Sequence, residues 1–150
     1  MLNNSTIKQQ IGARLQSLKR GQTGYLVVQD VDSFKKINDT NGHLFGDAVL
    51  CSFADELSNI FPEALKGRIG GDEFVFYVED MDREQLEEKL KQLNRCMSDR
   101  YDDDKTGLHI SCSLGAAVTD GTVTDYNLLF QWADAALYQV TVSYTHLRAH

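Results

Sequence analysis

The 150 residues are 42% apolar and 25% charged with a single proline, the composition of one folded domain rather than a disordered tail or a disulfide-stapled peptide. With 15 basic and 22 acidic residues the net charge is −7, which excludes a surface built to coat nucleic acid or anionic lipid. A phosphorylated ligand would therefore need a cation brought from outside. The longest apolar run, Phe74 to Val78, is far short of the ~20 residues of a membrane span, and the N-terminus has no signal-peptide profile. Cys51, Cys96 and Cys112 show no CxxC spacing and read as reduced core residues, so a cytoplasmic location is expected.

In chain order, Ser5 or Thr6 can cap a first helix that places Ile7, Ile11, Leu15 and Leu18 on one face. Tyr25 to Val28 reads as a buried strand that runs into Asp30 and Asp32, followed by a short polar helix from Ser33 to Asn38. A loop with Asn41-Gly42 comes next, and Gly46-Asp47 opens a helix carrying Val49, Leu50, Phe53, Leu57 and Ile60, with Pro62 past its end. Strands over 65–69 and 73–79 join across Gly70-Gly71, a pair that suits a two-residue hairpin because both positions tolerate positive φ. Asp82 and Gln85 form a capping box for a helix bearing Leu86, Leu90, Leu93 and Met97. Its charged opposite face and Asp102-Asp103-Asp104 read as solvated surface. Leu108, Ile110, Cys112 and Leu114 alternate as a strand does, and Thr124 or Asp125 caps a last helix with Leu128, Leu129, Trp132, Ala136 and Leu137. The order α-β-α-α-β-β-α-β-α predicts one α/β sandwich (an α+β fold), with helices against a largely antiparallel sheet.

Two acidic sites stand out. Asp30 and Asp32 end a buried strand, and Asp72-Glu73 follow the glycine turn, so adjacent strands can bring these groups together. Converging carboxylates repel unless a divalent cation holds them, and Mg²⁺ takes hard oxygen ligands. The plainer alternative is that aspartates punctuate turns. Asn38 and Asp47 can likewise serve as helix caps.

The segments Asp30-Val-Asp-Ser-Phe-Lys-Lys-Ile-Asn-Asp39, Gly42-His-Leu-Phe-Gly-Asp47 and Arg68-Ile-Gly-Gly-Asp-Glu-Phe74 resemble the GGDEF family of diguanylate cyclases. Ser113-Leu-Gly115 and Ala133-Asp-Ala-Ala-Leu-Tyr138 match later blocks of that family in the same order. The resemblance implies a palm-like nucleotidyl-cyclase domain over residues 1–140, with a mostly antiparallel five-stranded sheet and the glycine turn in a β-hairpin. It implies that two GTP molecules are condensed into cyclic di-GMP with release of two pyrophosphates. Asp30, the Val31 main-chain carbonyl, Asp72 and Glu73 would hold Mg²⁺ or Mn²⁺, two ions per active site. Glu73 would also serve as general base, with Asp72 beside it. Asn38 and Asp47 would read guanine. The backbone of Ser33, Phe34 and Lys35 would cradle phosphate, and Gly70 and Gly71 would let the nucleotide approach. Catalysis would need a homodimer, with no contact to nucleic acid or membrane. A non-catalytic GTP-binding regulatory domain is the alternative, and an unrelated ferredoxin-like interaction module a third reading.

Three departures from the family pattern carry expectations. The family's inhibitory RxxD motif falls on Phe61-Pro62-Glu63-Ala64, so feedback inhibition through it is not expected. Only Leu2-Asn3 remains of the family's opening segment, which implies truncation at that edge and a missing upstream sensory or dimerising domain, one that could tether the parent to a membrane. Thr141 and Thr145 stand where the family has a Lys and an Arg that grip the triphosphate. Residues 141–150 read as a non-native tail, which sets aside His146 and His150 as ligands.

Overall fold

The computed structural model describes residues 2–103, 105, 107–136 and 145–148, the last four by their backbone alone. Along the chain these form α1 (Asn4–Gln16), β1 (Gly24–Val31), α2 (Phe34–Asn41), α3 (His43–Ile60), β2 (Leu65–Arg68), β3 (Glu73–Glu79), α4 (Arg83–Tyr101), β4 (Cys112–Thr119), α5 (Tyr126–Ala136) and β5 (Thr145–Arg148). The sheet order is β2-β3-β1-β4-β5. The first four strands pair antiparallel, and β5 adds parallel to β4. The antiparallel sheet thus has four strands rather than five, and the fifth comes from the stretch that the sequence set aside as tail.

Strand β1 is central and buried on both faces, which is why its sequence reads as a continuous apolar run. Tyr25, Val27 and Val31 pack with Phe74, Phe76, Phe53, Leu57 and Leu90 beneath α3 and α4. Leu26 and Val28 pack with Val75 and Tyr77 against Ile7, Ile11 and Leu15 of α1 and Leu129 of α5. Each such side chain contributes ~1.5–3 kcal/mol on burial. The two layers leave the C-terminal end of β1 and the start of β3 at one edge of the molecule.

Several boundaries differ from the sequence expectation, each for a local reason. Asn3, not Ser5 or Thr6, caps α1, its side chain accepting from Thr6 N at 3.0 Å. Gly42, at φ 90°, ends α2 and lets α3 begin at once with His43, so Gly46 and Asp47 lie inside α3 rather than opening it. Neither Gly70 nor Gly71 has positive φ. The hairpin is not a two-residue turn but a wider loop, closed by Ile69 N and Gly70 N donating to Glu73 O at 2.9 and 3.3 Å. Strand β4 starts at Cys112 instead of Leu108, because Ile110 N donates to the Asp102 carboxylate instead of to a neighbouring strand. That bond, with those from Ser98 and His109, makes Asp102 the anchor of its loop rather than a solvated turn residue. Asp125 caps α5, accepting from Asn127 N at 3.0 Å. The capping box of α4 forms as expected, and Leu86, Leu90, Leu93 and Met97 are buried. Of the cysteines only Cys112 is buried, Cys96 is half-buried and Cys51 is exposed.

The chain ahead of α1 is attached to the sheet edge. Leu2 N donates to Lys66 O at 3.4 Å and Arg68 N to Leu2 O at 3.0 Å, a parallel bridge to Gly67. Glycine is required there, since a Cβ would lie 2.7 Å from the Ile7 Cβ and 2.9 Å from Leu2 O.

Candidate active site

The two acidic sites meet. Asp30 lies opposite Glu73 in the β1–β3 register, and Val31 N donates to Asp72 O at 3.1 Å, which fixes Asp72 beside the end of β1. Asp30 and Glu73 share the sheet face covered by α1 and α5. Burial and the charges of Glu73, Asp72, Asp134 and Asp32 push the Asp30 carboxyl up to about 7. Glu73 is raised by burial, then by Asp134 and Asp72. This is the electrostatics of hard oxygen donors crowded without a countercharge, and it fits a divalent cation. Among the described residues no three acidic, histidine or cysteine side chains already converge as a metal cage. Mg²⁺ suits that arrangement, since it takes one or two carboxylates and completes its shell with water and substrate oxygens.

Asp32 faces a different task. Ser111 and Ser113 both donate to its carboxylate, Ser111 at 2.7 Å, so it ties the end of β1 to the approach of β4. Two further residues emerge that spacing did not single out. Asp134 of α5 adds its charge to both Asp30 and Glu73. Its signal was the i, i+4, i+8 stripe of Tyr126, Phe130 and Asp134, which lines one cavity with Glu73. Arg68 reaches back over the hairpin, its Nε donating to Gly70 O at 3.0 Å and its Nη2 to Gly71 O. It braces the glycine turn from outside, and a cation two residues ahead of a glycine pair was the available hint.

Asn38 and Asp47 come from α2 and α3, and the capping alternative fails for both. Asn38 is the fifth residue of α2 and Asp47 the fifth of α3, well inside the helices. The Asn38 Oδ1 is buried with no hydrogen-bond partner, and a Cβ on Gly46 would sit 1.7 Å from it. Asp47, one residue on, is exposed. Ser33 caps α2 with φ 54° and no side-chain bond to the helix, so the amides of the first turn, Phe34 and Lys35 among them, have no capping acceptor. Gly70 and Gly71 are open to solvent on one side. A Cβ at Gly71 would meet nothing within 4 Å, and at Gly70 only Glu73, 3.5 Å away. His43 is exposed at the start of α3 and caps nothing with its side chain.

Phe61 and Ala64, which stand at the charged positions of the family's RxxD motif, are buried. Phe61 packs on Phe76 at 5.0 Å between ring centroids and lies under the Lys89 ammonium at 5.5 Å. Leu137, Tyr138 and Thr141 lie outside the described residues, as do the side chains of Thr145 and His146, and His150.

The family described as "Diguanylate cyclase, GGDEF domain" matches residues 1–143, and the chain belongs to that family. It is 32% identical over 130 residues to the "Probable diguanylate cyclase DgcT" of Escherichia coli strain K12, a match covering 83% of this chain and 29% of the relative. It is 31% identical over 114 residues to the "Cyclic di-GMP phosphodiesterase PdeR" of the same organism, covering 75% of this chain and 17% of the relative. The chain therefore spans less than a third of either relative. A solved GGDEF domain of DgcB from Caulobacter crescentus, in complex with c-di-GMP, superimposes with a TM-score of 0.78 at 27% identity, covering 92% of this chain and 84% of that one. Among the described residues no helix is long and apolar enough to cross a membrane.

Proposed function

We propose that this domain is a diguanylate cyclase that joins two GTP into cyclic di-GMP and releases two pyrophosphates. The observation that carries the reading is the placement of Asp30 opposite Glu73, beside a glycine turn that neither backbone conformation nor packing demands. Asp30, Asp72 and the Val31 carbonyl would hold Mg²⁺ or Mn²⁺, two ions per active site, with Glu73 as a further ligand. When bound, the ions stabilise charge on the attacking and leaving oxygens.

Glu73, its carboxyl raised by burial and by its acidic neighbours, takes the proton of the ribose 3′-hydroxyl. The freed oxygen attacks the α-phosphorus of the facing GTP, the P–O bond to the β-phosphate breaks, and pyrophosphate leaves. The same step in the opposite direction closes the ring. Two nucleotides must face each other, so the working unit is a homodimer. Asn38 reads guanine because its buried Oδ1 has no partner until an N–H donor arrives, and Asp47 accepts the adjacent pair of guanine N–H groups. Adenine offers no such pair, so discrimination is strong. The uncapped amides of Ser33, Phe34 and Lys35 and the Lys35 ammonium meet the phosphates.

Thr141 and Thr145 provide no cationic grip, and charge-assisted hydrogen bonds contribute about 1.5–3 kcal/mol each, so this chain uses GTP on the order of a hundredfold less well than a relative with both cations. The non-native reading is proposed for residues 141–150, of which the family match takes in 141–143, and a cytoplasmic site of action follows from the substrate. A non-catalytic GTP-binding role is the second reading, favoured by the resemblance to a relative named for phosphodiesterase activity. Incubation of concentrated protein with GTP and Mg²⁺, with chromatographic detection of cyclic di-GMP, decides between them. Product that disappears in Glu73→Gln supports the cyclase. GTP binding without product, also after a Lys and an Arg are restored at 141 and 145, supports the regulatory role.

A further inference from the structure

A cavity of about 470 Å³ opens beside Glu73, between the first turns of α1 and the length of α5. Asn4 and Lys8, one turn apart on α1, form one wall, Tyr126 and Asn127 of α5 face them, and Asp134 lies beside Glu73. The Lys8 ammonium is held 6.0 Å above the Tyr126 ring and forms no ion pair among the described residues. A cation with no salt bridge among the described residues and no role in the core, lining the same cavity as two carboxylates, has donors to offer. The two asparagine amides and the Tyr126 hydroxyl add neutral ones.

The cavity lies across the sheet from the guanine readers. Asn38 and Asp47 stand on the side of α2 and α3, Asp30 and Glu73 at the strand ends, and the cavity on the side of α1 and α5. A nucleotide whose base is held by Asn38 and whose ribose 3′-hydroxyl meets Glu73 has its outer phosphates left to place. Those are anionic, rich in acceptors and in need of donors that the α2 terminus alone does not supply. We propose that Lys8, assisted by Asn4 and Asn127, binds the terminal phosphates of the nucleoside triphosphate in this cavity and orients the pyrophosphate leaving group. The assignment rests on the GTP-binding reading above. It gives α1 a part in substrate recognition, and supplies one cation where the residues at 141 and 145 supply none.

The test is calorimetric titration of wild type, Lys8→Ala and Lys8→Arg with a GTP analogue carrying a non-cleavable α,β-methylene bridge and, separately, with GMP, both in Mg²⁺. Lys8 is exposed on a helix surface, and circular dichroism confirms that the variants are folded. The expected result is a loss of about tenfold or more in affinity for the triphosphate analogue in Lys8→Ala, unchanged GMP affinity, and recovery in Lys8→Arg. Equal affinity of wild type and Lys8→Ala for the triphosphate overturns the assignment, as does an equal loss for GMP. Wild-type protein that binds neither nucleotide overturns the functional reading itself, a result distinct from either of these.

Discussion

The junction of α2 with the first turn of α3 and the turn between β2 and β3 each carry two glycines, for opposite reasons. At the helical junction the fold uses both. Gly42 takes a φ of 90°, and Gly46 leaves the room in which the Asn38 side chain lies. In the strand turn the fold uses neither, since Gly70 and Gly71 have ordinary φ and a Cβ on either would meet at most ordinary contact. A glycine that packing requires positions the residues around it. One that nothing in the free protein requires keeps space for something that arrives.

The largest expected effect lies in the strand turn. Glu73→Gln reduces cyclic di-GMP formation by about 10²-fold or more and leaves the unfolding midpoint within a few degrees of wild type, as read by product chromatography and thermal melts. Gly46→Ala comes next and strikes both properties. The added Cβ displaces Asn38, which costs ~1–3 kcal/mol of stability and weakens GTP against ATP discrimination; a competition assay reads the latter. Gly71→Ala sharpens the contrast, with stability unchanged within ~0.5 kcal/mol in denaturant titration while KM for GTP rises several-fold. A fall in stability comparable to that of Gly46→Ala would erase the distinction between the turns.

A last effect is a pH trend in the metal-free protein. Asp30 has a folded pKa of about 7, above the unfolded value near 4, so the folded state favours its protonated form. Stability from this group is fully present below about pH 4 and is lost as pH rises toward 7, and Asp30→Asn flattens that slope. Divalent cation reverses the trend by stabilising the charged form, which thermal melts across the range with and without Mg²⁺ measure.

Local features of the sequence predicted local structure well. The Asp82 and Gln85 box needs only contacts within one turn, and it forms as written. The acids at 30, 72 and 73 were legible because strand ends and a hairpin must bring them near one another. The register that sets Asp30 opposite Glu73 was not, for α2, α3 and β2 separate β1 from β3 in the chain and no turn between the two strands fixes their pairing. Asp134 escaped notice because its neighbours are chosen by the docking of α5 across the sheet. The start of β4 was misjudged because Leu108 and Ile110 alternate like a strand, while Asp102, distant in sequence from that pattern, captures the Ile110 amide. The Asp47 cap alternative fell because α3 starts one turn earlier, at His43, and that of Asn38 because α2 runs on to Asn41.

The attachment of Leu2 to the edge strand has a mechanical consequence. Leu2 is hydrogen-bonded to Lys66 and Arg68, and the Arg68 side chain grips the carbonyls of Gly70 and Gly71. A pull or twist applied to the first residues of the chain therefore reaches the glycine turn through a single strand of four residues. The hairpin is thereby tied to Leu2 as well as to the helices that cover β3. A restraint at Leu2 bears on the turn that carries Glu73.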